Sequence, residues 1–216
     1  MPRLTKIEPD TASRLLSEDE CYYSGEYQSH GGYQAGEYNQ LISNLKIPVP
    51  VPAHRIRWKN AAIQRCAEIL QEGISGDALP TITFVPVPGS KPLGHPEYDD
   101  RMVRVLDAYG AKVGGIDVRQ AVLTAVTRDS QHGSGSRLSI DELLSTLLLN
   151  TPAFSVPFRP TVVIFDDVFT LGTSFRAMKV LLEKAPGVQR VVGVSIARTV
   201  WPVPDFSKFF GVIGDS

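Results

Sequence analysis

Two adjacent carboxylates, Asp166 and Asp167, follow an apolar run and precede a turn of small residues in the segment VVIFDDVFTLGTS, residues 162–174. The apolar run predicts a buried strand, and the turn leads into a segment with helical spacing. Backbone N–H groups, a glycine and hydroxyl side chains at a helix N-terminus suit a phosphate group. The carboxylates suit the neighbouring hydroxyls of a sugar, or a metal ion. Because ligands of an open parallel sheet bind at the carboxyl ends of its strands, the segment predicts a site for ribose 5-phosphate.

Three other interpretations use similar residues. An apolar strand followed by two acids also occurs in a Walker B motif, and residues 89–95 (GSKPLGH) have the glycine spacing of a Walker A motif. However, His95 and Pro96 stand where an NTPase needs Lys and Ser/Thr. A phosphatase with an aspartate nucleophile of the D-x-D-x-T type needs an acid where this chain has Val168. A solvated strand end with Ser174 as a helix N-cap explains each residue, but not their combination with a glycine turn.

Strand and helix patterns alternate after residue 80, which predicts a doubly wound α/β fold: a mainly parallel sheet with helices on both faces. Residues 81–88 and 161–167 are expected to be central parallel strands, because both are strongly apolar. Further strands are predicted at residues 116–126 and 188–197. Helices are predicted at residues 37–46, 54–73, 96–111, 137–149 and 174–184.

Helix 54–73 has an apolar stripe that should face the core. Its members recur at helical spacing and include Trp58, Ala62, Cys66 and Leu70. The capping-box spacing of Ser139-Ile-Asp-Glu142 supports a helix start near residue 140.

The first fifty residues differ in composition from the rest. Residues 21–38 are rich in Tyr and Gly with little periodicity, and residues 47–53 (IPVPVPA) alternate proline with aliphatic residues. Proline at this density excludes a helix or a central strand. We therefore predict an irregular N-terminal cover over residues 1–53 and an α/β domain over residues 54–216. The tyrosines of the cover are expected to lie half-buried against the domain, with no role in ligand binding.

Composition bounds the remaining possibilities. The 216 residues are 43% hydrophobic and 21% charged, enough for a sizeable core, and the net charge of -1 gives no general cationic field for nucleic acid or a membrane surface. Cys21 and Cys66 have no nearby Cys or His, so neither a disulfide framework nor a zinc site is predicted. No apolar run reaches the roughly 20 residues that span a bilayer. The sequence thus predicts a cytoplasmic protein without a membrane segment.

The segment at 162–174 resembles the motif that binds 5-phosphoribosyl 1-pyrophosphate (PRPP) in type I phosphoribosyltransferases. Both have four apolar residues, two acids, an apolar pair and a Thr/Gly/Thr-rich loop. Other segments follow in the order seen in the ComF-like branch of that family, and the resemblance covers roughly residues 35–200. These segments are VPVPGSK at 85–91, a helix containing Arg101, a polar loop with Arg128 and Arg137, and the strand end VSIART at 194–199.

The resemblance implies roles for matching residues. Asp166 and Asp167 would hold the ribose 2- and 3-hydroxyls, and Lys91 would contact the pyrophosphate together with Gly89 and Ser90. The loop around the 5-phosphate would consist of Thr170, Leu171, Gly172, Thr173 and Ser174. Mg would bind to the pyrophosphate of PRPP, and the protein itself would supply no set of metal ligands. A mobile loop at residues 127–136 would close over the reacting centre, bringing Arg128 to the pyrophosphate.

Two departures bear on function. Family members usually carry Thr or Ser where this chain has Leu171, and the zinc-binding cysteines of many ComF relatives are missing. Two functions therefore stay open. The first is an enzyme that transfers ribose 5-phosphate from PRPP to an unidentified nitrogen base and releases pyrophosphate. The second is a non-catalytic PRPP- or nucleotide-binding regulator or accessory component of a bacterial competence or defence system, acting as a homodimer or in a larger complex.

Overall fold

The structure, a computed structural model, describes residues 4–10, 13–128 and 138–202. Its strands are β1 (Thr5–Lys6), β2 (Glu20–Gln28), β3 (Ile82–Pro86), β4 (Asp117–Val118), β5 (Val122–Thr124), β6 (Leu147–Leu149), β7 (Thr161–Phe169) and β8 (Arg190–Val200). Six of them form a mixed sheet in the order β1-β2-β8-β7-β3-β4. All neighbours from β2 to β4 are parallel, and only β1 runs antiparallel to its neighbour. Strands β5 and β6 form a separate antiparallel pair.

Helices cover both faces of the six-stranded sheet. They are α1 (Glu37–Leu45), α2 (Ile56–Gly73), α3 (Arg101–Val113), α4 (Ile140–Leu144) and α5 (Thr173–Leu182). Successive side chains of a strand point to opposite faces. Accordingly, Phe84 and Phe165 join a core with α1, α2 and α3, whereas Val85 and Ile164 join a second core with α5. The predicted α/β fold with a mainly parallel sheet between helices is therefore confirmed, with β3 and β7 as adjacent inner strands.

The prediction of an irregular N-terminal cover is wrong for residues 20–28. They form the nine-residue strand β2, which pairs in parallel with β8 and extends the same sheet. The alternation of polar and apolar residues is weak here, and Gly25 occupies a position where the Tyr38 ring of α1 packs directly on the backbone. A Cβ at this position would come within 2.1 Å of that ring. The Tyr38 hydroxyl also lies 2.8 Å from the Ser24 hydroxyl. Pairing with β8 and packing against α1, rather than alternation of polarity, thus fix this strand.

The predicted helix at 137–149 is wrong in its second half. The capping box begins α4 as expected, with the Glu142 N–H donating to the Ser139 hydroxyl at 3.2 Å and the Ser139 N–H donating to the Glu142 carboxylate at 2.7 Å. The helix then stops at Leu144, and residues 147–149 pair with β5. Arg137 and most of the predicted mobile loop, residues 129–136, lie outside the described residues.

The predicted apolar stripe of α2 contains one error. Trp58 is 46% exposed, and the neighbouring Lys59 is only 1% exposed and occupies the buried position instead. The stripe therefore runs through Lys59, Ile63, Cys66 and Leu70. Within residues 4–10, 13–128 and 138–202, none of the helices is long and apolar enough to cross a membrane.

Candidate functional site

A cavity of about 640 Å³ opens at the carboxyl ends of β3 and β7, beside the middle of β8. Strands β3 and β7 are parallel neighbours, and the Val87 N–H donates to the Phe165 carbonyl at 2.9 Å just beyond β3. The loops that follow both strands therefore lie side by side. The structure brings every sequence-predicted site residue to this cavity: Gly89, Ser90, Lys91, Arg128, Asp166, Asp167, Thr170, Leu171, Gly172, Thr173 and Ser174.

The N-terminus of α5 forms one wall. Gly172 is its N-cap residue in the left-handed conformation (φ 83°), and its carbonyl accepts the Arg176 N–H at 2.9 Å. The N–H groups of Thr173, Ser174 and Phe175 precede the first helical hydrogen bond, and among the described residues they have no acceptor. The Leu171 carbonyl is held by the Arg14 N–H at 2.7 Å. These free donors, at the positive end of a ten-residue helix, can bind an anion.

Gly172 is required by both conformation and space, since an added Cβ would lie 2.9 Å from the Phe169 ring. We expect Gly172→Ala to lower the free energy of unfolding by about 1–3 kcal/mol, because a left-handed conformation alone costs a residue with a Cβ about 1–2 kcal/mol. Urea unfolding measures this change. Gly76→Ala is the matched control, because Gly76 has open space around it and should change stability by less than about 0.5 kcal/mol. Equal losses in both variants would contradict the prediction.

The loop after β3 forms the opposite wall. The Gly89 carbonyl accepts from the Arg128 guanidinium at 2.7 Å and from the Thr124 hydroxyl at 2.6 Å, and the Ser90 carbonyl accepts the Arg128 N–H at 2.8 Å. In a trans peptide the N–H points opposite to the C=O. The N–H groups of Ser90 and Lys91 therefore point away from Arg128, and neither has an acceptor among the described residues. Arg128 thus positions the loop and also lines the cavity.

Lys91 supplies the side-chain charge of this loop. Its ammonium lies 3.6 Å from the carboxylate of Glu97, which is 58% exposed and so forms a weak, solvent-screened pair. Lys91 itself is 23% exposed and lines the cavity. A lysine with this partner keeps donors free for an anionic ligand.

The two adjacent acids differ sharply. Asp167 is buried, and its carboxylate is paired with Lys46 at 3.0 Å and with the Arg101 guanidinium at 2.8 and 3.0 Å. Burial opposes ionisation, but these two cations and their hydrogen bonds hold the pKa of Asp167 well below its usual range. Asp167 is thus ionised at neutral pH and holds two cations in the cavity wall.

Asp166 has no cation in hydrogen-bond contact among the described residues. Its carboxylate accepts the Asp167 N–H at 2.8 Å. Burial and the charge of Asp167 raise the pKa of Asp166 to about 7, against the weaker opposing effects of Lys46 and Arg101. A carboxyl group with a raised pKa, few protein partners and a cavity in front of it is typical of a functional site.

Sequence reasoning missed four charged residues beside Asp166 and Asp167. Lys46 caps the end of α1, and Arg101 begins α3; Asp99 pairs with Arg101 at 3.0 Å and with Lys59 at 2.9 Å. The sequence places Arg101 in a predicted helix but assigns it no role. The one usable signal was a lysine on the apolar face of α2; the other contacts join segments far apart in sequence.

Comparison with family models and with curated proteins finds no match to this chain. The geometry therefore carries the functional argument. One cavity contains two groups of free backbone donors, one at the start of α5 and one after β3, with the half-buried Asp166 at the end of β7 between these loops. The arrangement can bind a ligand that has two anionic groups and hydroxyls between them.

Proposed function

We propose that this chain is a phosphoribosyltransferase-like protein that binds PRPP. The observation that carries the proposal is the pair of free-donor groups on adjacent loops with Asp166 between them. The α5 N-terminus suits the 5-phosphate, and the N–H groups of Ser90 and Lys91, with the Lys91 ammonium, suit the pyrophosphate. Asp166 suits the ribose hydroxyls, because a carboxylate accepts from two neighbouring donors.

Magnesium enters this proposal with the ligand. Mg²⁺ keeps several waters and is usually held by substrate phosphates and one or two carboxylates. Among the described residues no cluster of three His, Cys, Asp or Glu side chains could hold a metal. Two carboxylates of the cavity wall have little competition from protein cations. Asp166 has no cation in contact among the described residues, and Glu97 has only Lys91, at 3.6 Å. These two fit a metal bound through pyrophosphate, and the metal would neutralise charge on the leaving group.

We propose transfer of ribose 5-phosphate to a nitrogen base, with release of pyrophosphate, as the activity. The protein's contribution would be to hold both ends of PRPP while the base attacks the ribose carbon between them. Non-catalytic binding of PRPP or a nucleotide is the second candidate, and a specific observation favours it. Asp167 is engaged by Lys46 and Arg101 on both oxygens, so only Asp166 is left to hold the ribose diol.

Calorimetric titration tests the proposal. With Mg²⁺ present, we expect PRPP to bind with 1:1 stoichiometry and at least tenfold more tightly than ribose 5-phosphate, because only PRPP reaches both donor groups. A screen of nitrogen bases for pyrophosphate release then separates the enzyme from the non-catalytic protein. Asp107→Asn, a change at an exposed position of α3, is the control and should leave affinity unchanged. Absence of PRPP binding to the wild-type chain would overturn the proposal.

A further inference from the structure

Lys59 is a buried charge that the cavity does not use directly. It lies on the apolar face of α2, is 1% exposed and is not part of the cavity wall. Its ammonium donates to the Ile47 carbonyl at 2.8 Å and to both carboxylate oxygens of Asp99 at 2.9 Å. All three protons of the ammonium therefore have an acceptor. Removing a lysine ammonium from water is costly, so packing alone does not explain a lysine at this position.

The partners of Lys59 lead to the cavity by two routes. Through Asp99 it reaches Arg101, whose guanidinium donates to Asp99 at 3.0 Å and to Asp167 at 2.8 Å. Through the Ile47 carbonyl it fixes the peptide between Ile47 and Pro48, one residue beyond Lys46, and Lys46 pairs with Asp167 at 3.0 Å. The five side chains form an alternating charge chain that runs from α2 to the carboxylate pair: Lys59, Asp99, Arg101, Asp167 and Lys46.

The charge chain has an excess of positive charge. Its three cations face two carboxylates, and four of its members, all except Lys59, line the cavity. Asp99 lies between Lys59 and Arg101, and Asp167 lies between Arg101 and Lys46, so each carboxylate holds two cations in place. Without Lys59, Asp99 would keep only Arg101 as a partner, and the guanidinium would be drawn toward Asp99. The orientation of Arg101 therefore depends on a lysine that never meets the ligand.

We propose that Lys59 is a positioning residue for the anion site: it fixes Asp99 and the Ile47 peptide, and through them it holds Arg101 and Lys46 in the cavity wall. This inference rests on the proposed binding of a phosphorylated ribose. The surrounding stripe is apolar and consists of Ala62, Ile63 and Cys66, so an uncharged side chain of similar length would pack there. The lysine is therefore explained by its hydrogen bonds and not by the core.

The test compares Lys59→Met with Lys112→Met. Lys112 also joins α3 to α2, through Glu68 at 3.6 Å. Neither residue of this pair forms an ion pair with a member of the charge chain. With PRPP and Mg²⁺ as the probe, we expect Lys59→Met to weaken binding about tenfold and Lys112→Met to leave it unchanged. Unfolding in urea shows whether each variant is folded. Lys59→Gln serves if Lys59→Met does not fold, because its amide keeps a donor for the Ile47 carbonyl, and it should weaken binding at least threefold.

A double-mutant cycle distinguishes positioning from general damage to the fold. If Lys59 acts through Arg101 and Lys46, then adding Lys59→Met to a variant that carries both Arg101→Met and Lys46→Met should cost less than threefold in PRPP affinity, because the groups that it positions are already gone. A merely structural role would cost the same factor in both backgrounds and would overturn the inference. Unchanged affinity in Lys59→Met and Lys59→Gln would also overturn it while leaving PRPP binding intact. A wild-type chain that binds no PRPP would overturn the proposed function as well.

Discussion

Asp167→Asn should lower the free energy of unfolding by about 2–4 kcal/mol at pH 7. Removing one member of a buried ion pair typically costs about 3–5 kcal/mol, because the remaining charge is left without compensation. The cost is discounted here because Lys46 is 36% exposed and Arg101 is 20% exposed, so water partly solvates both cations. For a chain of this size the change corresponds to a fall in Tm of roughly 5–15 °C. Urea and thermal unfolding measure it.

The dependence of this loss on pH follows from the lowered pKa of Asp167. A carboxylate whose pKa is depressed in the folded state contributes stability above its unfolded pKa of about 3.9 and loses it as the pH falls toward the folded value. The part of the difference between wild type and Asp167→Asn that comes from the ion pairs should therefore be complete above about pH 5 and should shrink below about pH 4. Between about pH 5 and 7 the difference also changes through Asp166, whose pKa falls when the charge of Asp167 is removed. Asp107→Asn is the exposed control, and a comparable loss in that variant would show that the ion pairs of Asp167 are not the cause.

Most of the fold could be predicted from the sequence because its signals are local. Strands β3 and β7 are short apolar runs bounded by breakers, and α2 and α3 have clear helical periodicity. Strand β2 could not be predicted from local signals, since its stabilisation comes from pairing with β8, more than 160 residues away, and from the Tyr38 ring above Gly25. The Leu147–Leu149 strand was mistaken for helix because a short leucine run has no distinguishing period.

The candidate site, like the fold, could be predicted from the sequence only in part. Asp166, Gly172 and Lys91 lie in contiguous motifs, so the sequence could predict that they meet at one edge of the sheet. The different environments of Asp166 and Asp167 could not be predicted, because they depend on Lys46 and Arg101, which come from the end of α1 and the start of α3. Adjacent residues of a strand point to opposite faces, and here that alternation places two cations against Asp167 and none in contact with Asp166, although both residues line the cavity.

Asp166→Asn should have the opposite effect to Asp167→Asn and should stabilise the ligand-free protein at pH 8 by about 1–3 kcal/mol. The pKa of Asp166 is raised to about 7, so its stabilising contribution is complete below its unfolded value near 3.9 and is lost as the pH rises through 7. At pH 8 the wild type holds an unfavourable buried charge that asparagine removes. The gain in the variant should be close to zero near pH 4, grow between about pH 4 and 7, and then level off. Urea unfolding at pH 4.5, 6 and 8 measures this course.

The same substitution should weaken PRPP binding at least tenfold at pH 8. Hydrogen bonds to a charged group contribute about 1.5–3 kcal/mol, and roughly 1.4 kcal/mol is a factor of ten in affinity. A residue that destabilises the free protein and strengthens ligand binding is typical of a binding site. The buried charge lowers the stability of the free protein, but the ligand needs that charge as a hydrogen-bond acceptor. If the Asp166→Asn variant is more stable than the wild type and binds PRPP equally well, then Asp166 has no role in the ligand site. A variant less stable than wild type at pH 8 would contradict the assignment of an unfavourable charge to Asp166.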